Sequence, residues 1–530
     1  ERTADFYRRE SEELLARTAA DEYLAHCERR ISEEQSRCKA NFEACTEPRL
    51  LACVREELLK RHCDRILVDG FAALVRGHRV GDLERLYRLF EQVDALPAVR
   101  RAWGQAVKQA GREVMACAGA AEESKGVVPA LIDLRARLSE VLASAFQSSS
   151  SFSLALKDAF EEFLNADAQN TPAKLLARHV DEVLRNEKAC GDAALEESVE
   201  RIMGIFRFLA AKDAFEAFYK RDLARRLLAH RSSSADAEAL MIQRLRDECG
   251  SGFTSKLEGM FRDVDLSREL LATFAARPDA KAVLDEHNLE LSVSVLTSGL
   301  WPTQPPSPDI GYPPASVRLH DMFAAFYAAQ HKGRSLRWSP GLGQCTLRAS
   351  YEGSARKELV VSHFQALVLL LFNAANTLSC REISAATRIP QADLHRTLQS
   401  LALHKTVKLI LKCSKGRDIG DDDAFTYNGD FTSKMYRVTV SQITAKEHHE
   451  EEAEVERRVF EDRQHELDAA VVRIMKAQKR LTHQQLVAEV FATVRFPVQA
   501  SDVKKRIESL IEREYLERDA ERASTYTYLA

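Results

Sequence analysis

Several things are scarce in this 530-residue chain, and each scarcity excludes something. Glycine (21) and proline (14) are few, so the chain is neither collagen-like nor broadly of low complexity. Excess charge of one sign is absent: 76 Lys and Arg face 80 Asp and Glu, leaving −4. That excludes a chain basic throughout, though not one basic face. No apolar run approaches the ~18 residues of a membrane helix. The longest, Phe364–Phe372, already contains Gln365, so no membrane partner is expected. No signal peptide is visible. The first residue is Glu1 rather than Met, which reads as a fragment. The 11 cysteines include no C-x-x-C, and those from Cys27 to Cys63 lie 7 to 11 residues apart. A zinc site usually shows a close pair first. Reduced, buried cysteines of a cytosolic or nuclear protein are therefore expected, with no metal site. G-x-G-x-x-G, Walker, H-E-x-x-H and G-x-S-x-G motifs are all missing, so no cofactor is expected.

What is present is mostly amphipathic helix. Over residues 1–146, apolar groups such as Leu50, Leu51, Val54, Leu58 and Leu59, or Leu83, Leu86, Tyr87, Phe90 and Val93, recur at helical spacing. Such a tract predicts an α-solenoid or a helical bundle, a spacer or binding surface. Gln147–Ser151 is a polar break. Four helical patterns follow over 152–286, one opened by Thr171 and Pro172 as cap and first residue. Another is a single long helix Val199–His230. Over 287–363 the pattern changes to a small α/β region. Leu289, Leu291, Val293 and Val295 alternate with polar residues, and Leu336–Trp338, Cys345–Leu347 and Leu359–Val361 read as short strands. Between Trp301 and Pro314 stand six of the 14 prolines, which exclude regular structure.

Residues 364–445 read as helix, helix, helix, hairpin, a winged helix, with Ser379 and Glu382 as a capping box. A charge run, Lys446–Arg458, predicts a solvated linker over 446–461 or an exposed helix. His448-His449-Glu450 inside it carries no metal, because adjacent residues do not share a helix face. Residues 462–530 repeat the winged-helix order, with Thr482 and Gln485 capping the second helix and Ser501 the third.

One lysine stands out. On a helical wheel with Leu467 at zero, Ala470, Val471 and Ile474 fall within ~60° and Lys476 at ~180°. Lys476 therefore points away from the core, flanked by Arg473 and Lys479. It is either an ordinary solvated lysine or the target of an acylating enzyme. Lys504-Lys505-Arg506 on the third helix could enter a DNA groove. The Asp502, Glu508, Glu512 and Glu514 carboxylates would repel phosphate, so a protein-binding winged helix is the better reading. Lys220, Arg221, Arg225 and Arg226 crowd one helix with Phe215, Phe218, Leu223 and Leu227.

Several stretches resemble one family. Val472-Arg473-Ile474-Met475-Lys476, preceded by Glu461-Asp462-Arg463 and followed by Lys504 through Leu516, resembles the C-terminal signature of cullins. Tyr526-Thr527-Tyr528-Leu529-Ala530 is similar to their chain terminus. Asp213–Tyr219, Leu223–Leu227 and Phe253–Phe261 look like the cullin homology region. Phe496-Pro497-Val498 and Leu51-Ala52-Cys53-Val54 look like the type-4 branch.

The resemblance implies a mainly α fold with a smaller α/β part: helical cullin repeats, a four-helix bundle, a small sheet region and two winged-helix domains. It implies a non-catalytic scaffold of a multi-subunit cullin–RING E3 ubiquitin ligase in nucleus and cytoplasm. Such a scaffold binds a RING-box protein and, through the RING, a ubiquitin-conjugating enzyme, and works by proximity. A cullin-exchange factor and a deneddylating complex are further implied partners. A substrate adaptor would bind through a first N-terminal repeat that this sequence does not show. Lys476 is then expected to be the neddylation acceptor, through an isopeptide bond. After it this chain has Ala477-Gln478-Lys479 where the family often has Arg-Lys. A strand of the RING-box protein is expected to join the sheet around Leu291, Val293, Val295, Leu359, Val360 and Val361. Part of the Lys220, Arg221, Arg225 and Arg226 cluster is expected to steer an acidic segment of the conjugating enzyme. The competing reading is a winged-helix nucleic-acid-binding regulator.

Overall fold

The computed structural model describes residues 2–529 apart from 44, 117–123, 168, 187–191, 229–234, 303–308, 352–355, 405–406, 415, 417, 441–443, 520–521 and 523. Cys117, Cys190, His230, Ala530 and the middle of the proline loop thus lie outside the described residues, as do the side chains of His448, His449 and Glu450. No described helix is long and apolar enough to cross a membrane. No disulfide joins any two of the nine described cysteines. The chain divides into two compact units, residues 1–219 with 462–530, and residues 220–461.

In the first unit the expected helices form, and their apolar stripes face inward. Leu24, Val54, Leu83, Leu86, Phe90 and Val107 are fully buried. The polar break is a turn with left-handed Gln147 and Ser148. It does not separate two cores, because Phe146 before it packs on Phe152 after it (4.6 Å) and on Trp103 (5.1 Å). The helices Leu96–Ala116 and Ser150–Leu164 approach closely at Gly111, where a Cβ would lie 2.4 Å from the Phe163 ring. Thr171 opens its helix, but its own N–H is capped by the Asp167 carboxylate (3.2 Å).

The long helix expected from Val199 is two, Asp192–Phe206 and Lys212–Leu228. Asn165 holds the break open: its amide donates to the Phe208 carbonyl (2.9 Å) and its oxygen accepts from the Ala210 N–H (2.8 Å). Those bonds replace the helical ones lost there. The stretch from Met241 to Phe261 belongs to two helices, Ala235–Cys249 and Ser251–Ala275, parted by Gly250 at φ +86°. Only a glycine takes that conformation cheaply.

Nine strands are described: β1 Gln344–Ala349, β2 Lys357–Ser362, β3 Thr377–Ser379, β4 Ile410–Lys412, β5 Ala424–Tyr427, β6 Arg437–Thr439, β7 Arg480–Thr482, β8 Leu516–Arg518 and β9 Thr525–Tyr528. They make three small sheets ordered β1-β2-β6, β3-β5-β4 and β7-β9-β8. β2 pairs antiparallel with β1 and parallel with β6. The segments around Leu291–Val295 and Leu336–Trp338 are not strands. They are extended and pack their alternate side chains on a cluster of Phe274, Phe323, Phe326 and Tyr327, without a ladder among the described residues.

The first winged helix has the helices His363–Leu371, Cys380–Thr387 and Gln391–Ala402 with the wing β4–β5. The Ser379–Glu382 capping box forms, and so does a second, Ser362–Gln365, that opens the first helix. The expected linker is helical: residues 446–461 lie inside one 35-residue helix, Thr444–Gln478. Its last turns begin the second winged helix, which continues with His483–Thr493, Ala500–Glu512 and the wing β8–β9. Thr482 and Gln485 make the expected box. Ser501 does not cap the third helix; Gln499 is the cap residue and Ser501 sits within the first turn.

Candidate modification and docking sites

The helix ending at Gln478 buries Leu467, Val471, Ile474 and Met475 in the second winged-helix core, and Ala470 is buried as well. Lys476 is exposed in its last turn, as the wheel requires, and Arg473 beside it is exposed too. A cation suits that end, where unpaired carbonyls carry partial negative charge. The chain leaves the helix through Lys479, at φ 64°, whose N–H still reaches the Met475 carbonyl (2.8 Å). Lys479 does not stand free like its neighbour. Its ammonium lies over the Tyr528 ring at 4.9 Å, and its carbonyl accepts the Tyr528 N–H at 3.0 Å. The helix end is therefore locked onto β9, and Lys476 sits on a rigid support.

Of the basic tripeptide, Lys504 and Lys505 are exposed, but Arg506 is not available to a phosphate. It grips the nearly buried Asp468 carboxylate with two hydrogen bonds (2.7 and 2.5 Å), and Arg513 adds a third (2.5 Å). Burial alone would push the Asp468 carboxyl up; the two guanidinium groups outweigh it and hold it below its usual range. At the other end of this domain segment, Arg463 donates to both oxygens of Asp213 (2.5 and 2.9 Å) and stacks over Phe496 (5.4 Å). Sequence reasoning missed both pairs. Their only signal was a charged residue on the flank of an apolar stripe.

The expected docking strand divides into two cases. Leu359, Val360 and Val361 are buried in β2, which already has a partner on each side, so they cannot take another strand. Leu291, Val293 and Val295 are half-buried on an extended segment with no backbone ladder among the described residues. Ser267 and Asp263 pin its far end: Ser267 Oγ accepts the Val295 N–H (2.8 Å), and Asp263 accepts from Thr297 N–H (2.7 Å) and from Trp301 Nε1 (2.8 Å). Among the described residues β1 is also an edge, paired with β2 on one side. Unpaired extended backbone of this kind has N–H and C=O groups open to a further strand.

The basic cluster is largely internal. Arg226 is fully buried and donates to both oxygens of the equally buried Glu238 (2.6 and 3.0 Å). Arg221 is mostly buried and donates to Asp222 (2.9 Å), which Arg225 also approaches at 3.9 Å. A paired cation out of water cannot steer a distant partner, so Arg221 and Arg226 leave the expected cluster. Lys220 and Arg225 stay partly exposed.

Comparison with known proteins agrees with this layout. Residues 1–271 match the cullin alpha solenoid domain, 295–431 the cullin alpha+beta domain, and 462–522 the cullin protein neddylation domain. The whole chain is 41% identical to human Cullin-4A and spans 69% of that protein's length. It is 35% identical to Cullin-4 of Dictyostelium discoideum (69% of its length) and 37% identical to Cullin-3A of Arabidopsis thaliana (72%). The helical stalk, the small sheets and a winged helix that projects a lysine from its first helix are thus those of a cullin, and the chain belongs to the cullin family of ubiquitin-ligase scaffolds.

Proposed function

We propose that this chain holds a RING-box protein and, through it, a ubiquitin-charged conjugating enzyme beside a substrate, and that neddylation of Lys476 activates it. Lys476 carries the reading. It is the exposed amine on the last turn of a helix whose other face is core, inside the segment that matches the neddylation domain. The amine attacks the modifier's thioester, the thiol leaves, and an isopeptide bond forms. The enzyme that delivers the modifier must take up the ammonium proton first. Nucleus and cytoplasm are the proposed locations, and exchange factors and deneddylating enzymes the further partners. Lys476→Arg keeps charge and fold but removes the nucleophile. Reconstituted neddylation with mass spectrometry should find the modifier on Lys476 and none on the variant. A remnant on Lys479 or Lys504 with Lys476 unmodified would overturn the assignment.

The unladdered segment Leu291–Val295 and the free edge of β1 are where we place the RING-box strand. Val293→Asp should lose co-purification with a co-expressed RING-box protein while the rest of the chain stays folded. Retention of the complex would move the docking strand elsewhere. We read the Arg463–Asp213 pair as a clasp of the unmodified state, and modification as a population shift away from it. Arg463→Glu should then expose the Asp462–Ala530 region to faster amide exchange without any modifier.

A further inference from the structure

We propose that Cys380, His395 and Asp421, in the first winged helix, form a zinc(II) site with a thiolate, an imidazole and a carboxylate as ligands and water in the fourth position. One donor atom from each residue lies within 4.8 Å of the other two. The three come from separate elements. Cys380 opens the second helix, His395 is on the third, and Asp421 is on the loop that leads into β5. Backbone bonds hold this loop against the helix start: Cys380 N–H donates to the Asp423 carbonyl (2.9 Å) and Arg381 N–H to the Asp421 carbonyl (3.1 Å). The fold therefore assembles the donors without a metal.

A second observation points to a ligand. His395 Nε2 is out of reach of solvent and has no hydrogen-bond partner, although Asp421 Oδ1 is only 3.9 Å away. An orphaned buried nitrogen of this kind is uncommon and costs about 1–3 kcal/mol unless something occupies its lone pair or its proton. The Cys380 thiol is buried, and burial together with Asp421 and Asp423 pushes its pKa up. The same two carboxylates that disfavour a bare thiolate favour a cation.

The donor set chooses the ion. Calcium and magnesium want oxygen throughout, whereas thiolate plus imidazole plus carboxylate suits zinc. Tetrahedral bonds of about 2.0–2.3 Å put donors roughly 3.5 Å apart, so the triad must close by about an ångström. Asp421 is exposed and can move; its Oδ1 now accepts Gln391 Nε2 (2.9 Å), a bond exchanged for the metal. On binding, the Cys380 S–H bond breaks, its proton passes to solvent, and the sulfur lone pair forms the S–Zn bond. The ion would staple the wing loop to both helices. No short spacing in the sequence announces such a site, because its ligands meet only after the winged helix has folded.

Cobalt(II) titration of the full chain tests this, since cobalt reports thiolate ligation by a charge-transfer band and zinc displaces it. The expected result is one equivalent of cobalt with that band. Asp421→Asn and His395→Gln should weaken it by more than about 100-fold, beyond what loss of an outer-shell partner does. Cys380→Ser should abolish it. Cys413→Ser, an exposed cysteine in the same wing, should leave it intact. Far-UV circular dichroism of each variant checks folding, and Asp421→Asn, at an exposed position, keeps the test decisive if Cys380→Ser unfolds. Absence of the band at excess cobalt, a band that survives Cys380→Ser, or an unchanged cobalt affinity in Asp421→Asn overturns the site.

Discussion

The two winged helices, residues 363–440 and 462–529, are built on one pattern and present different chemistry. Each has a short strand ending in a capping box, Ser379–Glu382 in one and Thr482–Gln485 in the other. Each orders its sheet with the last wing strand in the middle, β3-β5-β4 and β7-β9-β8. Their third helices carry the same buried stripe, Leu394, Leu398 and Leu401 against Val503, Ile507 and Leu510. They part at the joint between the first and third helices. Gln365 precedes its cap by the same number of residues as Asp468 precedes Thr482. Gln365 is fully buried and donates to Ser400 Oγ (2.7 Å), which passes a bond on to the Thr397 carbonyl (2.6 Å). Asp468 instead takes Arg506 and Arg513. One joint is neutral and sealed, the other ionic, with a nearly buried carboxylate held by two partly exposed guanidinium groups. The apolar stripe fixes the fold, and the positions beside it fix what the fold offers.

The first helices differ likewise. His363–Leu371 is apolar nearly throughout, whereas the turns that end at Gln478 keep a polar face bearing Lys476. The largest expected contrast lies there. Counted back from the cap, Asn373 is the counterpart of Lys476, and it too is exposed. Lys476→Arg should abolish neddylation, and adding Asn373→Lys should not restore it, because the surrounding surface belongs to the second domain alone. A modifier remnant at position 373 in mass spectra of the double variant would break the comparison.

Next come the joints. Asp468→Ala leaves two guanidinium groups without their carboxylate and should cost the second domain about 3 kcal/mol, read by local hydrogen exchange. Gln365→Ala loses a buried amide bond and half of the Ser362 capping box, for about 2 kcal/mol in the first domain. Acid separates the two. Asp468 titrates lower folded than unfolded, so the unfolded chain binds its proton first. Its contribution is complete above the unfolded value of ~3.9 and fades as pH falls through the folded one. The neutral Gln365 joint gives no such loss. Between about pH 5 and 2, the exchange protection that Asp468→Asn removes should vanish from the wild type, while the effect of Gln365→Ala stays constant. The smallest effects are the caps: Ser379→Ala and Thr482→Ala should each cost about 1 kcal/mol, and alike, because the boxes are the same.

Much of this was legible because it is local. The capping boxes, the third-helix stripes and the outward face of Lys476 depend on residues within a few turns of each other. The break at Asn165 was not legible, since its partners Phe208 and Ala210 lie more than 40 residues away. Nor was the burial of Arg226, which reads as a surface cation until Glu238 is placed opposite it. The alternation at Leu291–Val295 was read as a strand, but periodicity reports burial and not pairing, and only extended chain stands there.

By itself, then, the sequence determined the helical stalk, the two winged helices and the exposure of Lys476, because hydrophobic periodicity and caps are written in neighbouring residues. Tertiary structure alone decided that β2 is saturated while β1 and Leu291–Val295 are open, and that Arg506 serves Asp468 rather than a phosphate. It also decided that Cys380, His395 and Asp421 share one pocket of donors. Those facts depend on which backbone edges and charges meet across long separations, and no local spacing encodes that.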